Sequence, residues 1–208
     1  MAKSEVRKSG RPKLDPAKVA EVRRKIADVA GRLFRDEGYD SVSMRRIAKE
    51  LKLAPMTLYQ YFPSKLAMLS VLWAEVFDEV FEIIEAEASG IPDGREKLAH
   101  ISWIYVDYWL QNRENYHLVF MSSGLSRDDV RSFVETGSIV SKFEIFSESL
   151  SAFERPDNTR KKILDQLICC LHGIMHSIIT MPGYPWTDAN ELTKSVVKSV
   201  FPHSADTF

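Results

Sequence analysis

Side chains that can contact nucleic acid are clustered near position 60 of the sequence. Thr57, Gln60 and the tyrosines Tyr59 and Tyr61 carry hydroxyl or amide groups that can hydrogen-bond to phosphate oxygens or to base edges. Met56 and the methyl group of Thr57 can contact the methyl groups of thymine. These groups can enter a groove of duplex DNA only if one helix presents them together, so the surrounding elements decide the interpretation.

Helical spacing places this cluster on the second of two short helices. Ser43 is the expected N-cap of a helix at about 44–51, and Pro55 is the expected first residue of a helix at about 55–61. A short linker joins them, and an amphipathic helix at about 17–37 precedes them. This order predicts a helix-turn-helix unit whose second helix lies in the major groove. A plain helical hairpin with internally packed tyrosines is the competing interpretation.

Four other side chains are candidates for holding the DNA beside this helix. Ser43 and Arg45 begin the first short helix, where backbone N–H groups and the helix dipole attract a phosphate. Lys65 begins the next, long helix and is placed for another phosphate. Arg11, flanked by glycine and proline, is extended and narrow enough to enter an A·T-rich minor groove. A disordered basic leader explains Arg11 equally well.

The charge of the chain is divided unevenly along its length. Residues 1–65 hold 16 Lys and Arg against 8 Asp and Glu, whereas residues 66–208 hold 12 against 21, and the net charge is −1. A small basic unit of this kind is typical of proteins that bind polyanions, nucleic acid first among them. A solubilising surface that happens to be lopsided would give the same count, so charge alone leaves both hypotheses open.

Composition excludes several other classes of protein. With 208 residues and 45% hydrophobic side chains, the chain can bury a core and is not disordered. We predict no transmembrane helix, because no run of about 18 apolar residues is uninterrupted, and no secretory signal. Cys169 and Cys170 are adjacent and suit a disulfide poorly, which favours a reducing cytoplasm. The motifs of nucleophile elbows, zinc proteases and phosphate-binding loops are missing, so we predict neither an enzyme nor a cofactor.

The rest of the chain also shows helical spacing, and strand signals are almost absent, so the predicted fold class is all-α. Further helices are expected at about 65–88, 94–111, 113–121, 127–152, 158–181 and 188–201. The predicted domains are a flexible basic arm (1–15), a three-helix helix-turn-helix DNA-binding domain (16–64) and a C-terminal helical bundle for ligand binding and dimerisation (65–208).

Aromatic side chains are dense in the acidic part of the chain and are candidates for lining a pocket for a small, apolar or aromatic ligand. The candidate lining residues are Trp103, Tyr105, Tyr108, Trp109, Tyr116, His117, Phe120, Met121, Phe143, His172, Met175 and His176. Ordinary core packing would produce the same helical spacing. The spacing of Cys169, His172 and His176 permits metal ligation, but a fourth ligand is missing, so we predict no metal site.

Two runs of sequence resemble the DNA-binding region of one known family, that of the tetracycline repressor (TetR). The runs are Ser43-Met44-Arg45-Arg46-Ile47-Ala48 and Leu53-Ala54-Pro55-Met56-Thr57-Leu58-Tyr59-Gln60-Tyr61-Phe62-Pro63-Ser64-Lys65. The resemblance covers about residues 17–72. It implies a homodimeric, all-helical transcriptional regulator, usually a repressor that a small ligand releases from a palindromic double-stranded operator.

The resemblance also assigns roles to single residues. Positions that contact phosphate or bases in the family correspond here to Ser43, Arg45, Pro55, Met56, Thr57, Tyr59, Tyr61 and Lys65. Leu58 and Phe62 correspond to positions in the small core. Two residues depart from the family pattern. Lys52 stands where the turn usually has glycine, and a left-handed lysine costs about 1 kcal/mol, so a local change of the turn is expected. Ala54 replaces the common polar N-cap.

The family resemblance also implies how two subunits would meet. The last two long helices of each subunit, here about 158–181 and 188–201, would form an isologous dimer interface. Gly173 lies in the middle of the first of them, where glycine lowers helix stability. Close approach of two helices would explain its presence.

Overall fold

The computed structural model describes residues 15–92, 94–136, 139–151 and 157–200, and within these ranges the chain is helical with no strand, as predicted. The helices are α1 (Pro16–Glu37), α2 (Met44–Glu50), α3 (Pro55–Tyr61), α4 (Lys65–Ala88), α5 (Arg95–Gln111), α6 (Arg113–Phe120), α7 (Arg127–Thr136), α8 (Ile139–Lys142), α9 (Glu144–Ser151), α10 (Asp157–Thr180) and α11 (Ala189–Val200). The predicted arm and Arg11 lie outside the described residues.

The first three helices form a small unit, here called the head (residues 15–64), whose buried side chains are continuous with the core of the following helices. Leu58 and Phe62 are fully buried in it, as the sequence predicts. The Arg23 side chain on α1 donates a hydrogen bond to the backbone carbonyl of Tyr61 and lies 4.2 Å from the centre of the Phe62 ring. These contacts tie the end of α3 to α1, so the orientation of α3 is fixed by packing.

The remaining helices, here called the body (residues 65–200), are organised around α5. This helix packs against α4, α9, α10 and α11, and it is buried along most of its length. Tyr105 and Trp109 on α5 are completely buried among aromatic rings from the neighbouring helices. Large apolar side chains at helical spacing therefore supply most of the body's core, and burying them is the main contribution to its stability.

The single helix expected at about 127–152 is wrong: α7, α8 and α9 occupy this region. Helix α7 is described to Thr136 and α8 from Ile139, and the two residues between them lie outside the described ranges. The break that the structure describes is a turn at Phe143, whose N–H bonds the carbonyl three residues back, that of Val140. The Phe143 ring packs 5.0 Å from Phe81 and 5.9 Å from Tyr105, centre to centre, so tertiary packing sets this break.

The helix α10 is more apolar than the sequence count suggested. Its segment Asn158–Thr180 is long and apolar enough to cross a membrane, with a mean hydropathy of 1.4 over its best window. A packing helix of a soluble protein meets the same criteria, so this single helix is weak evidence for a membrane span. It packs against α5, α9 and α11 and leaves another face uncovered within the subunit.

Candidate nucleic-acid interface and effector region

The turn between α2 and α3 keeps a left-handed residue although it has no glycine. Lys52 has φ of 55°. Its N–H bonds the carbonyl of Lys49 at 3.1 Å, and the N–H of Leu53 bonds the carbonyl of Ala48 at 2.9 Å. This bond pair is the Schellman ending of a helix, in which glycine usually takes the place of Lys52. The backbone therefore accepts the unfavourable conformation, and the expected local change of the turn is not observed.

The exposed face of α3 brings together most of the predicted base-contacting residues. Met56 is 74% exposed and Tyr59 47% exposed, and Pro55 and Gln60 are exposed beside them. Thr57 and Tyr61 are half-buried, with Leu58 anchored beneath. Ala54 makes no side-chain cap, as its sequence implies. The helix thus presents hydroxyl, amide and thioether groups to solvent from a fixed base; their contacts with DNA stay a prediction.

The start of α2 carries one candidate phosphate-binding cation and one structural cation. The Ser43 hydroxyl oxygen accepts the N–H of Arg46 at 3.1 Å, which confirms the predicted N-cap and leaves the hydroxyl hydrogen able to donate. Arg45 is exposed. The Arg46 guanidinium instead donates to Glu37 at 2.7 Å and to Glu50 at 2.9 Å. Only Arg45 of this pair is therefore directed to solvent.

Lys65, the predicted phosphate clamp, is engaged within the head in this conformation. Its Nζ donates to the carbonyl of Tyr39 at 2.6 Å and lies 4.0 Å from the centre of the Tyr39 ring. Burial lowers the pKa of this ammonium group. The side chain fastens the start of α4 to the segment after α1. Because Nζ also donates to the carbonyl of Asp40 at 3.5 Å, one of its three N–H donors is left, and a phosphate contact stays a prediction.

The predicted pocket residues divide into a packed group and an exposed group. Buried members of the set are Tyr105, Tyr108, Trp109, Tyr116 and Met175, and half-buried members are Trp103, Phe143 and His172. Their rings pack mostly edge to face, for example Trp109 against Phe120 at 4.9 Å between centres. His117, Phe120, Met121 and His176 are exposed. The packed rings form core in this conformation and do not surround an open space.

Two tyrosine hydroxyls in this aromatic core meet the two histidines of α10. The hydroxyl of Tyr105 lies 3.1 Å from Nε2 of His172, and that of Tyr116 lies 3.3 Å from Nδ1 of His176. Burial lowers the pKa of His172 to about 4 and raises the pKa of Tyr105. Within the described residues, no three His, Cys, Asp or Glu side chains converge as metal ligands. The histidines serve here as partners of tyrosines.

A cavity of about 340 Å³ lies beside the aromatic core, between α4, α6, α7 and α8. Its walls are formed by Trp73, Phe77, Val119, Phe120, Ser122, Leu125, Val130 and Ile139. The indole N–H of Trp73 and the hydroxyl of Ser122 both donate to the carbonyl of Leu118, at 3.1 and 2.7 Å. The polar groups of the wall are thus satisfied within it, and no charged side chain of the described residues lines the cavity.

The sequence prediction named only Phe120 among these wall residues. The missing members lie on α4, α6, α7 and α8 and in the segment after α6. Their proximity depends on the turn at Phe143, which a continuous helical pattern hides. The high amphipathicity of α7 was the available signal, because a strongly one-sided surface helix must cover an apolar surface.

A second cavity of about 340 Å³ separates the head from α6 of the body. Arg35 on α1 and Glu114 on α6 face each other across it, with 3.9 Å between Nε and the carboxylate. Beside it, Gly124 touches Asp40: a Cβ on Gly124 would lie 2.5 Å from the Asp40 carboxylate. The head and the body are therefore in direct contact at this point, here called the joint (Arg35, Asp40, Glu114 and Gly124).

Comparison with known proteins agrees with this arrangement. Residues 26–72 match the family model described as bacterial regulatory proteins, tetR family. The HTH-type transcriptional regulator HbdR of Aromatoleum sp. (strain CIB) is 30% identical over 123 residues, which cover 59% of this chain and 54% of that protein. The chain spans about half the length of the curated relatives it matches.

Solved structures of low sequence identity share the fold. The regulatory protein SCO4313 superposes with a TM-score of 0.71 at 16% identity, over 89% of this chain and 98% of that one. The TetR family transcriptional regulator PfmR from Thermus thermophilus superposes with a TM-score of 0.57 at 19% identity, over 85% and 96%. This confirms the predicted all-helical fold. Residues 26–72 therefore match the DNA-binding region of the TetR family of bacterial regulatory proteins, and the described helices have the fold of solved structures that include a TetR family regulator.

Proposed function

We propose that this regulator is a homodimeric repressor, held in the cytoplasm, that binds a palindromic operator and is released by an uncharged apolar molecule. The observation that carries the proposal is the exposed face of α3, from Pro55 to Gln60, held on a buried Leu58. An exposed face whose side chains can hydrogen-bond to base edges favours a surface that a partner covers. We place the boundary between the DNA-binding domain and the ligand-binding and dimerisation domain at residues 64 and 65.

The effector would occupy the cavity beside the aromatic core. Its volume of about 340 Å³ lies at the small end of the usual range for ligand sites, about 300–1,000 Å³. Because the wall offers aromatic and aliphatic surface and no charged group among the described residues, it favours a small uncharged aromatic or aliphatic molecule. The predicted lining residues Trp109, Tyr116 and Phe143 then support the wall from behind through Phe77 and Phe120.

The second subunit would cover the free face of α10, together with α11. Cys169, Cys170, Gly173 and His176 are exposed along that face, and the helix is apolar elsewhere. A Cβ on Gly173 would meet nothing within 4 Å in the described part of the subunit, so the glycine has no packing role there. Close approach of the same helix from a second copy would give it one, and the two-fold axis would pass nearby.

Operator selection tests the DNA-binding part of the proposal. The protein is used to select duplexes from a random pool at low salt, and the bound sequences are read. We expect two inverted half-sites whose centres are about 34–36 Å apart, one helical turn of DNA. A selected set without inverted symmetry contradicts the dimeric operator complex. Failure to select any duplex would favour a helical protein-interaction module.

A matched pair of variants tests the dimer. Gly173→Leu should leave the subunit folded, because the added side chain meets open space, and should convert the dimer into monomers. Gly183→Leu, where a Cβ would also meet nothing, is the control that should stay dimeric. Sedimentation velocity measures both. A Gly173→Leu protein that remains fully dimeric would place the interface elsewhere.

The neutral fluorescent probe N-phenyl-1-naphthylamine tests the effector site. We expect the wild type to bind it and Val130→Trp, which fills the cavity from an exposed position, to bind it far more weakly. A probe or ligand that binds here should also lower operator affinity, by about 5–150-fold if the coupling is the usual 1–3 kcal/mol. A reporter gene placed behind the selected operator separates repression from activation, since both use this fold.

A further inference from the structure

We propose that Lys52, in the turn between α2 and α3, binds a DNA phosphate at the edge of the groove that α3 enters. The inference rests on the proposed operator complex and adds a contact that the sequence pattern did not indicate. In the sequence, Lys52 is notable only because it occupies a position where the family usually has glycine.

The first observation is the backbone conformation of Lys52. Among the described residues, it is the one non-glycine residue with positive φ. Glycine would take this Schellman position without steric cost, whereas a lysine side chain opposes it. A residue that keeps an unfavourable conformation, at a position where its side chain is exposed and supports no packing, indicates a use for that side chain.

The second observation concerns the other cations of the same unit. Arg46 is neutralised by Glu37 and Glu50, and Lys65 is bound to the Tyr39 carbonyl. Lys52, like Arg45 and Lys49, is exposed and forms no ion pair with the residues that the structure describes. Its charge is therefore not engaged by a neighbouring carboxylate, and it adds to the positive potential beside α3.

The third observation is reach. Lys52 is three residues before Pro55, a separation of at most about 10 Å even in a fully extended chain. The major groove is about 12 Å wide and is bordered by phosphates. A helix seated in that groove therefore brings its preceding turn close to one sugar-phosphate strand, within the span of an extended lysine. Phosphate contacts of this kind set position and register and do not read sequence.

The test compares three substitutions at this position. Lys52→Gly and Lys52→Asn remove the charge and suit positive φ, and Lys52→Arg retains the charge. The measurements are the thermal midpoint and the dependence of operator affinity on salt. The control is Arg127→Ala, which removes an exposed cation at the start of α7 in the body.

We expect Lys52→Gly to have a Tm no lower than the wild type and yet to bind the operator more weakly. Each lost contact should reduce the slope of log K against log salt by about 0.9, so a symmetric dimer should lose about 1.8. Lys52→Asn should show the same loss, whereas Lys52→Arg and Arg127→Ala should keep the wild-type slope.

The outcomes separate this inference from the proposed function. Wild-type protein that binds no duplex overturns both. Wild-type binding with an unchanged salt slope in Lys52→Gly and Lys52→Asn overturns the phosphate contact alone. A lowered Tm in Lys52→Gly overturns the argument from backbone conformation. Raised or equal Tm with a reduced slope supports the contact, because no loss of folding can then explain the weaker binding.

Discussion

Tyr59 in α3 and Tyr105 in α5 carry the same phenol group in opposite surroundings. Tyr59 is 47% exposed on the head, whereas Tyr105 is completely buried in the body, where its hydroxyl meets His172 and burial raises its pKa. The Tyr59 phenol is therefore open to a partner from solvent, whereas the Tyr105 phenol is covered by the body's own side chains. In the head, side chains that can bind DNA are therefore exposed. In the body, the same residue types are buried and stabilise the fold.

This contrast separates two kinds of mutational effect. Substitutions on the exposed face of α3 should change binding with little change in the free energy of unfolding. Substitutions in the aromatic core should do the reverse. The following substitutions and one pH change test whether effects on binding and effects on stability are separate.

Trp109→Ala should have the largest effect. Trp109 is fully buried and contacts the rings of Phe77, Tyr105 and Phe120, so its removal should cost about 3–5 kcal/mol in the free energy of unfolding. Urea unfolding measures the loss. Trp103→Ala, on the same helix but half-buried, is the control and should lose less. An equal loss in both variants would mean that burial does not distinguish them.

Acid should destabilise the body through His172. Because its folded pKa of about 4 lies below the unfolded value near 6.5, its contribution to stability is complete above pH 6.5 and is lost as the pH falls towards 4. We expect about 2–3 kcal/mol over this window. His172→Gln keeps a partner for Tyr105 and should flatten the curve, whereas His117→Gln, at an exposed position, should not. Urea unfolding at several pH values gives the answer.

Tyr59→Ala should weaken the operator complex by about 1–3 kcal/mol and leave the unfolding free energy within about 0.5 kcal/mol of the wild type. Tyr184→Ala is the matched control, since Tyr184 is 60% exposed and lies far along the chain in the body. Fluorescence anisotropy with the selected duplex measures both. If Tyr184→Ala weakened binding as much as Tyr59→Ala, the assignment of the exposed face of α3 as the operator-binding surface would be contradicted.

Ser43→Ala should have the smallest effect, and it should lower both operator affinity and the free energy of unfolding. Ser43 and Ser64 cap α2 and α4 with the same geometry, each hydroxyl accepting a backbone N–H at 3.1 Å. Loss of either cap should cost about 1 kcal/mol in stability. Only Ser43→Ala should also weaken operator binding, because Ser43 alone is expected to donate to a phosphate. Equal binding by the two variants would remove Ser43 from the interface.

The features that sequence predicted correctly are local ones. The cap at Ser43, the burial of Leu58 and Phe62 and the start of α3 at Pro55 each depend on a few neighbouring residues. The spacing of apolar side chains therefore sufficed for the head and for most helix boundaries.

The features that sequence did not predict depend on distant partners. Lys65 donates a hydrogen bond to the carbonyl of Tyr39, 26 positions earlier, and neither residue type predicts that bond. The cavity wall joins Trp73 on α4 to Ile139 on α8, and the sequence pattern places Ile139 inside one continuous helix at about 127–152. Core aromatics and pocket aromatics also share the same spacing, so only the packed structure separates Tyr105 from Phe120.

Gly124 gives the joint a mechanical property. The segment after α6 contributes Ser122 and Leu125 to the cavity wall, and between them Gly124 rests against Asp40, three positions before the cap of α2. A Cβ at position 124 would lie 2.5 Å from the end of the Asp40 side chain, but Asp40 is exposed and its carboxylate can turn aside. A ligand that pushes this segment outward would therefore press first on a side chain that can move, and Gly124→Ala would be strained mainly by the positive φ of 81° at that position.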